Sequence, residues 1–102
     1  MYSRTPDAEI DGEISEFKEL TKSTKNIRYR LQEGISRAKN QGAAAVIIHI
    51  NRDSYEFWKI NDGIRKAFYS DERQLIQNII LVFNSEEVQQ ITREEWGNGR
   101  RF

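Results

Sequence analysis

Cysteine is absent from this chain of 102 residues, which excludes disulfide bonds and thiolate metal sites. One proline and six glycines are too few for a proline-rich linker or a low-complexity segment. The 16 basic residues balance the 16 acidic ones, so the net charge gives no support for a polyanionic partner. No apolar run approaches the roughly 20 residues of a membrane-spanning helix, and we therefore expect no such span in this chain.

What is present indicates one folded domain over residues 1–102. Hydrophobic residues make up 37% of the chain and aromatic residues 11%, enough for a core of ordinary size. We predict an α+β (α/β) fold with a small twisted sheet of about four to five strands and two main helices. The predicted order begins with a hairpin around Asp11-Gly12 and a strand to Leu20, a helix from Ser23 to near Gly42, and a central strand over Ala43–Ile50. It continues with a helix that follows a cap at Asp53 and ends near Ser70, a strand over Ile76–Phe83, a short edge strand around Val88–Thr92, and a loop or frayed end from Trp96.

Charge is segregated along the first third of the chain. Every charged residue from Asp7 to Glu16 is acidic, whereas basic residues outnumber acidic ones from Lys18 to Lys39. This segregation favours a local positive field on a neutral protein, and a solvated helix face explains it equally well.

Glu16 and Lys18 lie two residues apart on the first predicted strand. Side chains alternate along a strand, so Ile14, Glu16, Lys18 and Leu20 are predicted to share one face. A carboxylate and an amine that project to the same side of a strand are typical of a metal-dependent nuclease. In such an enzyme the carboxylates bind the metal ion, and the lysine orients the attacking water or stabilises the negative charge that develops. Asp7 is available as the second carboxylate. Structural charge pairs with this spacing are common, so the pattern alone is weak.

The segment Ser23-Thr24-Lys25-Asn26 offers hydroxyls, an amide and an ammonium group at the start of a predicted helix. Free backbone N–H groups and the helix dipole favour phosphate there. Arg28 is close enough to the same end to add charge. Simple capping of the helix by Ser23 or Thr24 is an equally good interpretation.

His49 is the only histidine, and it interrupts an apolar run near the carboxyl end of the predicted central strand. A polar side chain in a buried strand needs a partner, and α/β domains place their sites at such strand ends. Arg52 and Asp53 follow directly. Lys18, Asn26 and His49, with Arg28 and Arg52, supply the base, acid and cations of a metal-free ribonuclease.

Aromatic residues cluster on the second predicted helix. Phe57 falls on the apolar stripe and is expected in the core, while Tyr55 and Trp58 fall off it. Asp53, with Glu56 three residues on, is predicted to form a capping box. An exposed Trp58 suits either stacking with RNA bases or a protein partner.

The order of these motifs resembles the C-terminal nuclease domains of bacterial polymorphic toxins, including contact-dependent growth inhibition effectors of the CdiA type and related domains of phage minor head proteins. The residues that carry the resemblance are Pro6-Asp7, Ile10-Asp11-Gly12, Glu16-Phe17-Lys18, Ser23-Thr24-Lys25-Asn26, Ala38-Lys39-Asn40-Gln41 and Val46-Ile47-Ile48-His49-Ile50. It extends over roughly residues 6–83.

The resemblance implies an antibacterial toxin that cleaves tRNA, by one of two mechanisms. The Barnase/EndoU/colicin/RelE-like fold uses the ribose 2′-hydroxyl without metal, for which we expect catalysis by Glu16, Lys18, Thr24, Asn26 and His49. Ser23, Lys25, Arg28 and Arg52 are then the predicted substrate-binding residues. The restriction-endonuclease-like alternative needs Mg or Zn, held by Asp7 and Glu16 with Lys18 beside them, and acts on tRNA or DNA. We favour the metal-free mechanism.

The resemblance also implies partners and a place of action. Such domains are carried at the end of a larger secreted protein on the producing cell, act in the target-cell cytoplasm, and are neutralised by a cognate immunity protein. A host translation elongation factor is a further expected partner. The alternative from another functional class is a non-catalytic adaptor or immunity-like module that binds protein through the acidic hairpin and Trp58.

Overall fold

The structure is a computed structural model of the chain. It describes residues 13–21, 23–52 and 54–102, with the side chains of residues 17–19 excepted. The predicted hairpin turn at Asp11-Gly12, the predicted second carboxylate Asp7 and the predicted helix cap Asp53 lie outside the described residues.

The described residues form four strands and three helices. They are β1 (Glu13–Thr21), α1 (Ile27–Asn40), β2 (Ala43–Asn51), α2 (Phe57–Ser70), β3 (Asn78–Phe83), β4 (Val88–Thr92) and α3 (Arg93–Gly97). The sheet has the order β1-β2-β3-β4, with β1, β2 and β3 parallel and β4 antiparallel to β3. The predicted α+β class, the inner position of β2 and the edge strand at β4 are confirmed. No helix in the described part of the chain has the length and apolar character needed to cross a bilayer.

Both crossover helices pack on the same face of the sheet. Right-handed crossovers that advance in one direction along a sheet leave their helices on one side. The core between this face and the helices includes Leu31, Ile35, Val46, Ile48, Ile50, Ile60, Ile64, Ile79 and Leu81. Side chains on β2 that alternate with these, such as Ile47 and His49, belong to the opposite face, which we call the distal face.

The two helices approach closely at Gly63 of α2. A Cβ atom there would lie 2.9 Å from the backbone oxygen of Arg28 and 2.9 Å from the Cβ of Leu31. Only glycine fits without displacing backbone, so α1 and α2 meet at this point. The contact fixes the first turn of α1, including Arg28, beside the first turns of α2.

Strand β1 contains a β-bulge that the sequence pattern does not show. Phe17 pairs with Ile48 and Leu20 pairs with Ile50, so β1 advances three residues while β2 advances two. The extra residue reverses the alternation beyond it. Leu20 is 1% exposed in the core below the helices, and its predicted place on the same face as Glu16 was wrong.

Both predicted helix starts were displaced. α1 begins at Ile27, and its N-cap is Asn26, whose Oδ1 accepts a hydrogen bond from the Tyr29 N–H at 3.1 Å; the start at Ser23 was wrong. α2 begins at Phe57 with Glu56 as its N-cap and no side-chain hydrogen bond at that cap, so the helix starts three residues later than a cap at Asp53 would place it.

The tail after β4 is more ordered than the sequence predicted. A capping box does form there, because Thr92 Oγ1 accepts from the Glu95 N–H at 3.0 Å and Glu95 Oε1 accepts from the Thr92 N–H at 2.8 Å. This exchange starts the short helix α3, where a loop had been predicted from Trp96. Trp96 packs edge-on against Phe68, with 5.4 Å between the ring centroids.

A buried ion pair joins α3 to the loop between α2 and β3. Asp71, which is 3% exposed, accepts hydrogen bonds from the Leu75 and Ile76 N–H groups and from Arg93 Nη2 at 2.7 Å. Arg93 also donates to the Ile76 carbonyl at 2.8 Å, and its guanidinium lies 4.1 Å from the centre of the Phe68 ring. Burial lowers the pKa of Arg93 below its usual value, and the Asp71 carboxylate opposes that shift.

We predict that Asp71→Ala lowers the free energy of unfolding by about 3 kcal/mol, because it leaves the partly buried Arg93 guanidinium without its counter-charge and two N–H groups without an acceptor. Urea unfolding of the two proteins measures this. The neighbouring exposed Glu72, changed to Ala, is the matched control and is expected to stay within about 0.5 kcal/mol of the original. Equal loss in both variants would contradict a special role for the ion pair.

Candidate active site and basic cleft

Glu16 and His49 meet on the distal face of the sheet. Glu16 is paired with Ile47 in the parallel register of β1 and β2, which places its carboxylate diagonally beside His49, two residues further along β2. The Nε2 atom of His49 lies 3.3 Å from the Oε2 atom of Glu16. The two residues are 33 positions apart in the sequence, and the strand pairing alone brings them together.

The two members of this pair differ in their access to solvent. The side chain of His49 is 14% exposed, whereas that of Glu16 is 43% exposed. A largely enclosed imidazole keeps one orientation, and a carboxylate at this distance can accept a hydrogen bond from its Nε2–H group. A carboxylate in that position fixes the tautomer and stabilises the imidazolium when the ring takes up a second proton. The pair therefore has the parts needed for proton transfer.

A second feature lies where α1 and α2 begin, at the carboxyl ends of the parallel strands. A cleft of about 270 Å³ opens there, lined by Thr24, Lys25, Asn26, Ile27, Arg28, Arg52 and Lys59. Four of these seven residues are cations and none is acidic. We call it the basic cleft. It brings together five of the residues predicted from the sequence and adds Lys59, which sequence reasoning missed.

Lys59 had a detectable signal in the sequence. It follows the exposed Trp58 in the first turn of α2, and β2 and β1 end at the same edge of the sheet, so the starts of both helices had to be neighbours. Lys59 also pairs locally with Glu56, at 3.0 Å between Nζ and Oε1.

The hydroxyl groups before α1 organise the loop between β1 and α1. Thr24 Oγ1 accepts from the Thr21 N–H at 3.0 Å, and the Ser23 and Thr21 hydroxyl oxygens lie 2.9 Å apart. Thr24 reaches the basic cleft, while Ser23 is not among the residues that line it. Catalytic and substrate-binding roles for Thr24, Asn26 and Ser23 stay predictions from the sequence.

Arg52 joins the two loops that border the basic cleft. Its Nη1 atom donates to the carbonyl oxygens of Thr21 at 3.2 Å and Thr24 at 3.0 Å, and its Nε atom donates to that of Ser54 at 2.7 Å. One guanidinium thus holds the end of β1, the approach to α1 and the approach to α2. The structure gives Arg52 this positioning role, and its predicted phosphate contact remains a prediction.

Trp58 stands beside the basic cleft and is 56% exposed, as predicted. The Arg28 guanidinium lies 5.6 Å and the Lys59 ammonium 5.7 Å from its ring centre. Tyr55, predicted to be exposed, is instead half-buried against Phe83 at 5.4 Å between ring centres. Phe57, predicted to be in the core, is 38% exposed because α2 begins at that residue.

The residues of the metal-dependent alternative are only partly described. Asp7 and the side chain of Lys18 lie outside the described residues, whereas Glu16 is engaged with His49. Within residues 13–21, 23–52 and 54–102 there is no group of three or more metal-binding side chains. Lys18 lies at the β-bulge of β1, two residues from Glu16 along the backbone.

Comparison with known families gives a match over residues 4–88 to the contact-dependent growth inhibition CdiA C-terminal domain. The chain belongs to this family. No curated protein and no solved structure matched it. As a CdiA-type C-terminal toxin domain, it is an antibacterial toxin of contact-dependent growth inhibition, a class whose members are generally nucleases. Such domains belong to larger secreted surface proteins, are delivered into target cells and pair with cognate immunity proteins.

The matched region places both features of this CdiA-type domain within the family. It contains β1, α1, β2, α2 and β3, and hence Glu16, His49 and every residue that lines the basic cleft. α3 lies beyond residue 88 and outside the match.

We predict that Arg52→Lys loosens both loops of the basic cleft, because a single ammonium cannot reproduce the forked contacts of a guanidinium with three carbonyl oxygens. Hydrogen–deuterium exchange should rise at the amides of residues 23–26 and 54–56, while the core strands stay protected. Arg65→Lys on α2, where the arginine contacts only Asp62 among its resolved partners, is the matched control. Unchanged exchange in Arg52→Lys would show that the loops are held by other contacts.

Proposed function

We propose that this CdiA-type toxin domain is an endoribonuclease that cleaves tRNA without a metal ion, with Glu16 and His49 as its proton-transfer pair. The observation that carries this proposal is the contact of 3.3 Å between His49 Nε2 and Glu16 Oε2. The pair lies on two neighbouring strands of the sheet, with His49 near the carboxyl end of β2 and Glu16 in the first half of β1, and Glu16 is partly exposed to solvent. Positioned groups of this kind contribute about 10²- to 10⁴-fold to proton-transfer reactions.

In the proposed reaction the ribose 2′-hydroxyl oxygen attacks the adjacent phosphorus. The imidazole of His49 accepts the hydroxyl proton, and Glu16 stabilises the imidazolium that forms. The bond from phosphorus to the 5′-oxygen breaks, which leaves a 2′,3′-cyclic phosphate on one fragment and a 5′-hydroxyl on the other. The departing oxygen takes a proton from a second donor, for which the sequence offers Lys18.

The same assignment accounts for the remaining charges. The phosphorus passes through a pentavalent state with additional negative charge, which nearby cations stabilise. Lys18 is the cation that the sequence offers for this charge, and the basic cleft at the end of the sheet supplies cations for neighbouring phosphates of the substrate. We retain tRNA as the substrate and the target-cell cytoplasm as the place of action, on the strength of the sequence resemblance. A host elongation factor is retained as an accessory partner on the same ground.

Cleavage is tested by incubating the purified domain with total tRNA in excess chelator, with and without an elongation factor. We expect fragments that end in a 2′,3′-cyclic phosphate and a 5′-hydroxyl. Fragments that appear only after Mg or Zn is added, together with loss of activity in Asp7→Ala, would replace this mechanism with the metal-dependent alternative. Intact tRNA under every condition would refute the proposed function itself.

We predict that Glu16→Gln and His49→Ala each reduce the rate of tRNA cleavage by about 10²-fold or more, because each removes one half of the proton-transfer pair. Single-turnover cleavage gives the rates, and thermal unfolding of each variant shows whether it folds. Glu33→Gln on α1 is the matched control, since it removes a half-buried carboxylate whose ion pairs in the described structure are with Arg30 and Arg37 on the same helix. A rate in His49→Ala equal to that of the control would exclude His49 as a catalytic residue.

A further inference from the structure

The two tryptophans of the chain are in different environments. The guanidinium of Arg101 lies 3.8 Å from the ring centre of Trp96, at stacking distance, and Trp96 also packs against Phe68. The cations near Trp58 are farther away, at 5.6 Å and 5.7 Å, and 56% of that residue is exposed. Flat groups stack when their carbon atoms approach to about 3.5–4.0 Å. Arg28 and Lys59 are therefore within cation–π range of Trp58 but beyond stacking distance, and its ring keeps exposed surface for a flat ligand, whereas Arg101 stacks on the ring of Trp96.

Two carboxylates hold the cations beside Trp58 in place. Asp62 contacts Arg28 at 3.5 Å, and Glu56 contacts Lys59 at 3.0 Å. The hydrogen bond from Arg65 lowers the pKa of Asp62, and the hydrogen bond from Lys59 lowers that of Glu56, so both stay ionised at neutral pH. Neither carboxylate lines the basic cleft. They orient Arg28 and Lys59 from outside, and the cleft keeps its positive lining.

An aromatic ring next to a cationic cleft is complementary to a single nucleotide. Each base of a nucleic acid offers a flat ring to an aromatic side chain, and each phosphate carries one negative charge. An acidic peptide could pair with the cations, but its residues do not each carry a flat ring that could stack on Trp58. The concave shape of the cleft, with four cations around about 270 Å³, also favours a small anionic group over a flat protein epitope.

We propose that Trp58 and the basic cleft form a nucleotide-binding subsite: the base of an unpaired nucleotide stacks on Trp58, and its phosphate lies among Lys25, Arg28 and Lys59. This inference rests on the proposed ribonuclease function for its biological setting. Bases in a double helix are stacked on each other and have no free face, so the subsite requires a single-stranded segment or loop.

The location of the subsite gives it a defined relation to the catalytic pair. Glu16 and His49 lie on the distal face of the sheet, whereas the subsite lies at the starts of the helices that pack on the other face. A bound strand therefore passes round the carboxyl edge of β1 and β2 to reach both. The nucleotide on Trp58 is one that flanks the cleaved bond, so it affects the choice and affinity of the substrate and not the chemical step.

Binding is tested with a fluorescein-labelled single-stranded 2′-O-methyl RNA, which lacks the attacking hydroxyl and stays intact on the unmodified domain. We predict that Trp58→Ala weakens binding by about 5- to 150-fold, the measured range for loss of one stacked base. Trp58→Phe, which retains a smaller ring, should bind more tightly than Trp58→Ala. Tyr69→Ala is the matched control, because Tyr69 is 85% exposed and lies at the other end of α2.

The phosphate contact is tested by the salt dependence of the same binding reaction. Loss of one phosphate contact should reduce the slope of log affinity against log salt by about 0.7 for a single strand. We expect this reduction for Arg28→Gln. Arg65→Gln is its control, since both arginines contact Asp62 but only Arg28 lines the basic cleft.

The outcomes separate the subsite from the proposed function. Trp58→Ala that binds the oligonucleotide as tightly as Tyr69→Ala would overturn the subsite, as would a duplex that binds as tightly as the single strand. Loss of immunity-protein binding in Trp58→Ala, with RNA binding unchanged, would assign the surface to the protein partner instead. If tRNA stays intact while the variants show the expected binding pattern, only the proposed function fails. If tRNA is cleaved and Trp58→Ala leaves KM unchanged, only the subsite fails.

Discussion

Parallel pairing of β1 with β2 is the constraint on which the site depends. Parallel neighbours cannot be joined by a tight turn, so the chain must cross over through α1 before β2 can take its place. That crossover puts the helix starts at the carboxyl edge of the strands and creates the basic cleft there. The same pairing sets Glu16 diagonally beside His49 on the distal face. The pairing of these two strands therefore positions both the contact between Glu16 and His49 and the basic cleft.

The β-bulge in β1 resolves a conflict between these two requirements. Glu16 must face away from the helices to reach His49, whereas Leu20 must face the helices to fill the core. Strict alternation would put both on one face, since they are four residues apart. The extra residue between Phe17 and Leu20 allows Glu16 to face the distal side of the sheet while Leu20 faces the helices. Bulges occur frequently beside active sites for this reason, and Lys18, at this bulge, owes its backbone position to it.

Prediction of the secondary structure from the sequence was correct where a residue pattern is compatible with only one type of element. The apolar runs Ala43–Ile50 and Ile76–Phe83 have few alternatives to buried strands, and they form β2 and, from Asn78, β3. The predicted fold class and family were confirmed. Prediction failed where local and tertiary effects compete. Asn26 caps α1 although Ser23 and Thr24 are as good by propensity, because their hydroxyls already serve the preceding loop. The contact between Glu16 and His49 could not be predicted, because the sequence alone does not determine the register between two strands.

The crossover between β1 and β2 also sets an order of events. Glu16 and His49 are 33 residues apart, and closing so long a connection costs entropy before any contact between the strands repays it. Half of the proposed proton-transfer pair arrives with β1, and the other half only once α1 and β2 have formed. Under the proposed mechanism, an unfolded chain therefore has no assembled catalytic pair. Cleavage would then begin as a late event of folding, with a lag that follows the refolding rate of this sheet.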